Sequence, residues 1–276
     1  MPELPEVEIA GRQLHRWLSG RPVDRVVVLD PAVVRSELST RPSMAVEDGA
    51  AVLEALLQGV PERPLRHGKR LGWPWGERGL LIHLGMSGKF VRLPVGEQPP
   101  ASARVGWVQG EWTVWFVDRR RFGCLVGVEG SAMGAALRAG HGPDALDEAL
   151  DGPGLAARLT GRRAIKVALL DQARLAGVGN IHAVEALFRA GVDPRLRCDA
   201  LTERQWARLA EAIPAQLQWV VDAEDRGEIE YITEGGTENP FSVYGREGEE
   251  CPVCGGLIER IKQSGRGTWF CPSCQG

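Results

Sequence analysis

The sequence lacks any run of about 18 uncharged apolar residues, the length a membrane-spanning helix requires. It also lacks an apolar leader, because the opening MPELPEVE carries three glutamates; we expect no signal peptide and a cytoplasmic location. Positive charge is not in excess, since 33 Lys and Arg stand against 36 Asp and Glu, a net charge of −3. This balance argues mildly against a nucleic-acid partner, although one local basic face would be enough.

The composition is that of an ordinary folded protein. Of 276 residues, 43% are hydrophobic and 25% are charged, which excludes collagen, low-complexity disorder and a disulfide-rich mini-protein. The length fits one large domain or two modest ones. No internal repeat is visible in the sequence.

The pattern along the chain predicts an α+β multidomain protein. Residues 2–19 have apolar residues at helical spacing, and residues 23–128 consist of short alternating apolar runs separated by Gly and Pro turns. We therefore expect an N-terminal β-sandwich with a helix. The predicted domains are 1–133 (sandwich), 134–150 (linker), 151–239 (helical) and 240–276 (the cysteine-containing C-terminal segment). Between the two lobes, a cleft is the default site.

The second lobe is predicted to be helical and to end in a β-hairpin. Helices are expected near 153–160, 164–174, 180–190 and 202–226, and Thr202 with Gln205 forms a capping box for the last.

Four of the six cysteines form two closely spaced pairs near the C-terminus. They are Cys251, Cys254, Cys271 and Cys274. Two CxxC pairs at this separation predict one structural four-thiolate zinc site, with two disulfides as the alternative that a reducing cytoplasm disfavours. Cys124 and Cys198 are isolated and are interpreted as small buried hydrophobic residues.

The N-terminus offers a nucleophile. Removal of Met1 would expose the secondary amine of Pro2, and a free α-amino group has a pKa of about 7.7–8.0, against about 10.4 for lysine. Such an amine can attack an aldehyde-like carbon, with Glu3 and Glu6 as proton donors or acceptors. The alternative is an acidic first turn that only complements a helix dipole.

Four other segments carry candidate anion-binding groups. A glycine-rich loop at 175–180 precedes a helix and ends in Asn180. Arg120 and Arg121 directly precede Phe122. A basic cluster spans 66–70, and Arg266 lies between two glycines. Phosphate contact and base stacking suit these groups. An ordinary tight turn or a solvated charged loop remains the alternative for each.

Taken together and in this order, the motifs resemble those of the formamidopyrimidine-DNA glycosylase / endonuclease VIII family of bifunctional base-excision repair enzymes. The resemblance covers nearly the whole chain. Its motifs are PELPEVE at 2–8, HLGMSG at 83–88, DRRRFG at 118–123, GVGNI at 177–181, VYGR at 243–246 and the C-x2-C-x16-C-x2-C ending.

The resemblance implies a fold and a set of roles. The fold is a β-sandwich with a helix, followed by a helix–two-turn–helix lobe and a zinc-ribbon hairpin. The partner is damaged double-stranded DNA, bound by a monomer. Pro2 attacks C1′ of the damaged nucleotide, Glu3 is the acid/base and Glu6 supports the site. The implied DNA contacts are Lys69, Asn180 and Arg266 at phosphates, and Lys166 and Glu185 near the damaged base. Met86, Arg120 and Phe122 are expected to fill the hole left by the flipped nucleotide, and Arg121 is a further expected DNA contact.

Three features depart from the family pattern. The basic charge balance is missing. Arg104 stands where many relatives have a histidine that touches phosphate, and we expect it to replace that contact. The segment 233–240 is shorter than the base-capping loop of 8-oxoguanine enzymes. The expected substrates are 8-oxoguanine and formamidopyrimidines, with oxidised pyrimidines or a non-catalytic damage-binding role as alternatives.

Overall fold

The structure is a computed structural model that describes residues 2–38, 45–148, 150–225 and 239–276. Among the described residues, the chain divides into two compact units: the first comprises those up to Ala139 together with Glu224 and Asp225, and the second comprises Gly140–Ala223 and residues 239–276. The helices of the described ranges include none that is both long and apolar enough to cross a bilayer.

The first unit is a β-sandwich with a long N-terminal helix, as the sequence predicts. Its helices are α1 (Leu4–Leu18), α2 (Gly49–Glu54) and α3 (Met133–Arg138). Its strands are β1 (Arg25–Val28), β2 (Leu65–His67), β3 (Arg70–Trp75), β4 (Arg78–His83), β5 (Lys89–Pro94), β6 (Ala103–Gln109), β7 (Trp112–Val117) and β8 (Cys124–Glu129). They form two antiparallel sheets, ordered β1-β6-β7-β5 and β2-β3-β4-β8.

Large aromatic side chains fill the space between the two sheets. Trp73 on β3 lies edge-on to Trp107 on β6, with 5.3 Å between ring centroids, and both are fully buried. On the sheet that contains β6, the rings of Phe90 and Phe116 lie 5.4 Å apart. Aromatic pairs of this geometry stabilise a core beyond the area they bury, so they hold the loops at the strand ends on a rigid support.

The expected linker at 134–150 begins as a helix of the first unit. Met133 and Leu137, one helical turn apart, are buried against Leu81 and Val126 of the β2-β3-β4-β8 sheet. Arg70 donates to the carbonyls of Leu137 and Ala139 at 3.2 and 2.8 Å and so caps the last turn. Apolar residues at i and i+4 explain why this Gly- and Ala-rich stretch is ordered.

The second unit contains four helices and a two-stranded ribbon, followed by a short C-terminal helix. They are α4 (Gly152–Arg158), α5 (Ile165–Ala168), α6 (Asn180–Ala190), α7 (Glu203–Glu224), β9 (Glu259–Gln263), β10 (Arg266–Phe270) and α8 (Pro272–Gln275). The capping box predicted for α7 is present, because the Thr202 N–H donates to Gln205 Oε1 at 2.9 Å and the Gln205 N–H to Thr202 Oγ1 at 3.3 Å.

The helix expected over 164–174 is wrong beyond Ala168. The Gln172 side chain donates to the carbonyls of Leu170 and Val178 and accepts from the Gly177 N–H at 2.9 Å. A side chain that satisfies loop carbonyls and an amide in this way competes with the helical pattern and organises a loop in its place.

The two isolated cysteines are buried, as predicted. Cys124 is fully buried and Cys198 is 3% exposed. Burial raises the pKa of the Cys198 thiol, which keeps it protonated and unreactive.

Candidate active site and nucleic-acid interface

Pro2 lies directly ahead of α1, and both Pro2 and Glu3 are buried. Glu3 caps the helix in a reciprocal capping box: its carboxylate accepts from the Glu6 N–H, and Glu6 Oε2 accepts from the Glu3 N–H at 2.8 Å. Because the peptide bond between Pro2 and Glu3 is planar, fixing the Glu3 amide also fixes the carbonyl side of Pro2. Glu6 therefore orients the first two residues of the predicted catalytic set.

Lys69 lies in the two-residue turn between β2 and β3, where Gly68 has a φ of +56°. The preceding strand is tied to α1, because Arg66 Nε is 2.9 Å from Glu8 Oε2 in a pair whose arginine side chain is only 3% exposed. This ion pair brings the lysine-bearing turn to the helix that begins behind Pro2. Of the basic cluster 66–70, Arg66 is paired with Glu8, and Arg70 caps α3.

Asp118 organises the loop 118–123, which we call the DRRRFG loop. Its fully buried carboxylate accepts from the Ser87 hydroxyl at 2.5 Å, the Arg120 N–H at 3.2 Å and the Gly123 N–H at 2.6 Å. Ser87 Oγ also accepts from the Arg120 N–H at 3.0 Å. One carboxylate thus joins the DRRRFG loop to the loop that carries Met86.

The two loops pack backbone against backbone. A Cβ on Gly85, which has a φ of +65°, would lie 2.4 Å from the Gly123 nitrogen, so only glycine fits there. Met86 and Phe122 are both half-buried, and the Arg120 guanidinium lies 5.2 Å from the centre of the Phe122 ring. The structure therefore holds three of the predicted void-filling side chains, Met86, Arg120 and Phe122, on one connected scaffold.

Arg104 and Arg121 are both paired inside the first unit. Arg104 Nε and Nη2 donate to the Asp118 carbonyl at 3.0 and 2.8 Å. Asp30 lies 3.5 Å from Arg104 Nη1 and 2.9 Å from Arg121 Nη2. The contacts of Arg104 in the protein are thus with a backbone carbonyl and a carboxylate.

In the second unit, Lys166 and Asn180 form a chain of hydrogen bonds to the ribbon. The fully buried Lys166 Nζ donates to Asn180 Oδ1 at 2.6 Å, and Asn180 Nδ2 donates to the Gly267 carbonyl at 3.0 Å. Asn180 is the first residue of α6, so it joins a helix N-terminus, where anions bind favourably, to the strand that begins with Arg266.

Arg266 is exposed beside the tip of the ribbon hairpin. The turn residues Ser264 and Gly265 both have positive φ, +47° and +79°, the geometry of a two-residue type I′ hairpin. Since the carbonyl of the next residue, Gly267, accepts from Asn180, the Arg266 backbone is fixed relative to α6.

Glu185 clamps the segment that enters the ribbon. Its carboxylate accepts from three consecutive backbone N–H groups, those of Ser242, Val243 and Tyr244, at 3.0, 2.9 and 2.8 Å, and Glu185 is 3% exposed. This segment is the VYGR motif at 243–246. The geometry identifies Glu185 as an anchor for that motif; the role near the damaged base stays a prediction.

The four C-terminal cysteines fit a tetrahedral zinc ion. Their sulfurs all lie within 4.8 Å of one another, and Cys251–Cys274 and Cys254–Cys271 are 3.8 and 3.5 Å apart. Zinc–sulfur bonds of about 2.3 Å give tetrahedron edges of about 3.8 Å. A hydrogen bond from the Gly256 N–H lowers the pKa of Cys254 to about 7, whereas burial and the neighbouring sulfurs raise the pKa of Cys274 to about 12. Four adjacent thiolates need a cation, and this donor set suits zinc.

The sequence reasoning assigned no role to Asp118, Ser87 or Asp30. Asp118 was visible in the motif DRRRFG, and an aspartate ahead of a tight, glycine-ended loop is a common acceptor for loop N–H groups. Asp30 carried no local signal, because its arginine partners are distant in the sequence. The shortened segment expected at 233–240 lies outside the described residues, apart from 239 and 240.

Three family models match the chain in order. They are the formamidopyrimidine-DNA glycosylase N-terminal domain over 1–125, the H2TH domain of the same glycosylase over 141–230, and the zinc finger found in FPG and IleRS over 248–276. These domains are those of a DNA glycosylase of base-excision repair.

Named proteins are similar to this chain over its full length. Formamidopyrimidine-DNA glycosylases of Laribacter hongkongensis and Thermus thermophilus are 37% and 39% identical, with 100% of this chain and 100% and 99% of theirs covered. A solved MutM in complex with DNA containing carbocyclic 8-oxo-G has a TM-score of 0.85 at 28% identity, covering 99% of both chains. The Lactococcus lactis Fpg bound to FAPY-dG DNA has a TM-score of 0.84, also at 28% identity and 99% coverage of each chain. The chain belongs to the formamidopyrimidine-DNA glycosylase family.

Proposed function

We propose that this glycosylase removes 8-oxoguanine and formamidopyrimidine bases from duplex DNA by attack of Pro2 and then cuts the strand as a lyase. The observation that carries the proposal is the N-terminal geometry: a buried proline, directly followed by a glutamate whose amide and carboxylate are both held in the capping box. The names and DNA complexes of the full-length relatives support the substrate class.

The chemistry follows from a secondary amine next to a carboxyl group. The Pro2 nitrogen lone pair forms a bond to C1′ and the nitrogen then loses its proton, while the base leaves with the electrons of the glycosidic bond and takes up a proton. Opening of the sugar ring gives an iminium, with Glu3 supplying the proton that the ring oxygen gains. The iminium acidifies the C2′ proton, whose loss expels the 3′ phosphate; a second elimination expels the 5′ phosphate.

The remaining residues are proposed to hold DNA around that reaction. Lys69, Asn180 and Arg266 bind backbone phosphates, and Met86, Arg120 and Phe122 fill the space vacated by the flipped nucleotide. Filling that space offsets part of the few kcal/mol that unstacking costs, which is least for a damaged base. Arg121, Lys166 and Glu185 complete the predicted contact set. Zinc stiffens the ribbon that presents Arg266 and takes no part in the chemistry. We further propose a cytoplasmic monomer.

Covalent trapping tests the nucleophile. Borohydride reduces an iminium to a stable amine, so the protein and an abasic duplex should give a trapped complex that Pro2→Gly abolishes. Pro5→Ala is the matched control, because it alters the proline in the first turn of α1 and leaves the amine of Pro2 intact. A residue placed ahead of Pro2 should also prevent trapping. Equal trapping by wild type and by the N-terminally blocked protein would refute the role of Pro2.

A duplex panel tests the substrate class. Each duplex carries one lesion opposite cytosine or its natural partner: 8-oxoguanine, a formamidopyrimidine or an oxidised pyrimidine. We expect faster cleavage of the two purine lesions. The pyrimidine arm is included because a solved Lactococcus lactis Fpg complex contains an oxidised pyrimidine. Preference for that arm would support the endonuclease VIII-like alternative.

A further inference from the structure

The DRRRFG loop borders a cavity in the first unit. The cavity measures about 320 Å³ and is lined by Asp30, Val33, Arg35, Arg104, Asp118 and Phe122, among others. A surface loop beside such a cavity relies on polar contacts as well as on packing for its position. Besides Ser87, three side chains outside the loop make polar contacts with it: Asp30, Arg35 and Arg104.

Arg104 holds the start of the loop. Its guanidinium donates twice to one acceptor, the Asp118 carbonyl, at 3.0 and 2.8 Å, which fixes the point where the chain leaves β7. Its third nitrogen lies 3.5 Å from Asp30 Oδ2. The guanidinium edge thus fits a carbonyl and a carboxylate at once, a geometry that the single ammonium group of lysine cannot reproduce.

Asp30 and Arg35 hold the middle of the loop. Arg121 has a φ of +59°, a left-handed conformation that costs free energy in a residue with a Cβ and persists only when its surroundings enforce it. Asp30 pairs with the Arg121 side chain at 2.9 Å, and the buried Arg35 donates to the Arg121 carbonyl at 3.0 Å. The residue directly before Phe122 is therefore held from both its side chain and its backbone.

We propose that Asp30 and Arg104 are positioning residues that set the DRRRFG loop for insertion into DNA, and that Arg104 makes no phosphate contact. The proposal rests on the proposed function, because it concerns how Arg120 and Phe122 reach the vacated space. The guanidinium of Arg104 directs its donors at the Asp118 carbonyl and at Asp30, a carboxylate that it shares with Arg121. This assignment differs from the expectation that Arg104 replaces a phosphate-binding histidine.

The experiment compares Arg104→Ala, Arg104→Lys and Asp30→Asn with wild type. The control is Arg78→Gln, which removes one exposed positive charge at the start of β4, in the other sheet. Insertion is followed by the fluorescence of 2-aminopurine placed next to an 8-oxoguanine, since this base brightens when it is unstacked. Excision is measured in single turnovers, and the affinity for undamaged duplex is measured at several salt concentrations.

If Asp30 and Arg104 position the DRRRFG loop, their replacement should impair insertion of the loop into DNA without removing a contact to phosphate. We expect Arg104→Ala to slow insertion and excision about tenfold, the effect of one strong hydrogen-bonded group. Asp30→Asn should slow both less, and Arg104→Lys should stay well below wild type despite its retained charge. The dependence of log affinity on log salt should match that of the control in every variant, whereas loss of one phosphate contact lowers its slope by about 0.9.

Two results would overturn the proposal: a lower salt slope for Arg104→Ala than for the control, or wild-type insertion in both Arg104→Lys and Asp30→Asn. If Arg104→Ala does not fold, those two milder variants still decide the matter. Trapping of wild type through Pro2 is run in parallel. Its absence would count against the proposed function, whereas normal trapping with unaltered insertion in the variants would count only against the positioning role.

Discussion

Replacing Glu185 should destabilise the second unit strongly, because one carboxylate satisfies three backbone donors. Val243 is fully buried, so its N–H would lose its partner at a cost of about 1–3 kcal/mol. Ser242 and Tyr244 are half-buried and can recover part of their bonding from water, which leaves about 0.5–1.5 kcal/mol each. We therefore expect Glu185→Ala to lower the free energy of unfolding by about 2–6 kcal/mol.

The amide variant gives an internal scale for this prediction. In Glu185→Gln the remaining oxygen can still accept from Val243 and Tyr244, but the new NH2 group faces the Ser242 N–H. Loss of one bond plus a donor–donor contact predicts about 1–2 kcal/mol. Glu211→Ala, at an exposed position of α7, is the matched control and should change stability by less than about 0.5 kcal/mol.

Urea unfolding followed by tryptophan fluorescence measures these differences, with zinc release recorded in the same titration. A loss of less than about 1 kcal/mol in Glu185→Ala would refute the reasoning, since it is the least that one buried unpaired N–H costs. So would a Glu185→Gln variant of wild-type stability whose ranking of lesions has changed, because that result would assign the carboxylate to the damaged base.

Further predictions concern the phosphate contacts, the zinc site and the packed loops. Arg266→Ala should weaken binding to all lesions equally and lower the slope of log affinity against log salt by about 0.9. Asn180→Ala should also weaken binding to all lesions equally, but without changing that slope, because the amide is uncharged. A changed ranking of lesions in either variant would contradict a contact to phosphate. Zinc removal by a chelator should loosen the ribbon and reduce DNA affinity, more readily as the pH falls because protons compete for the thiolates; full binding after verified zinc loss would refute this. Gly85→Ala should cost about 1–3 kcal/mol more in urea unfolding than Gly76→Ala, because both glycines have positive φ but only Gly85 faces backbone, at Gly123. Equal losses would show that the loops are not in tight contact.

Local sequence patterns were sufficient to predict those elements whose structure is determined by residues close together in the sequence. The spacing of Val7, Ala10 and Leu14 predicted α1, and the two CxxC pairs predicted the zinc ribbon, because a helix face and a metal knuckle are both set within a few residues.

The sequence was insufficient to predict the contacts and element ends that depend on a residue distant in the sequence. Whether Arg104 faces DNA or the protein depends on the Asp118 carbonyl and on Asp30, which come from different segments. Likewise, the helix expected over 164–174 ends early because Gln172 bonds to loop groups that no periodicity reports.

The capping box at the start of α1 has a consequence for how such enzymes diversify. Glu6 orients the Glu3 amide within a single helical turn, so the surroundings of the nucleophile are encoded by a handful of adjacent codons. We expect that substitutions in the helical lobe or the ribbon can then change which damaged base is bound, while Pro2, Glu3 and Glu6 stay unchanged. We expect a chimaera that joins residues 1–139 to the second unit of a relative with another substrate to cut abasic DNA by the same chemistry. Its specificity for damaged bases should be that of the relative.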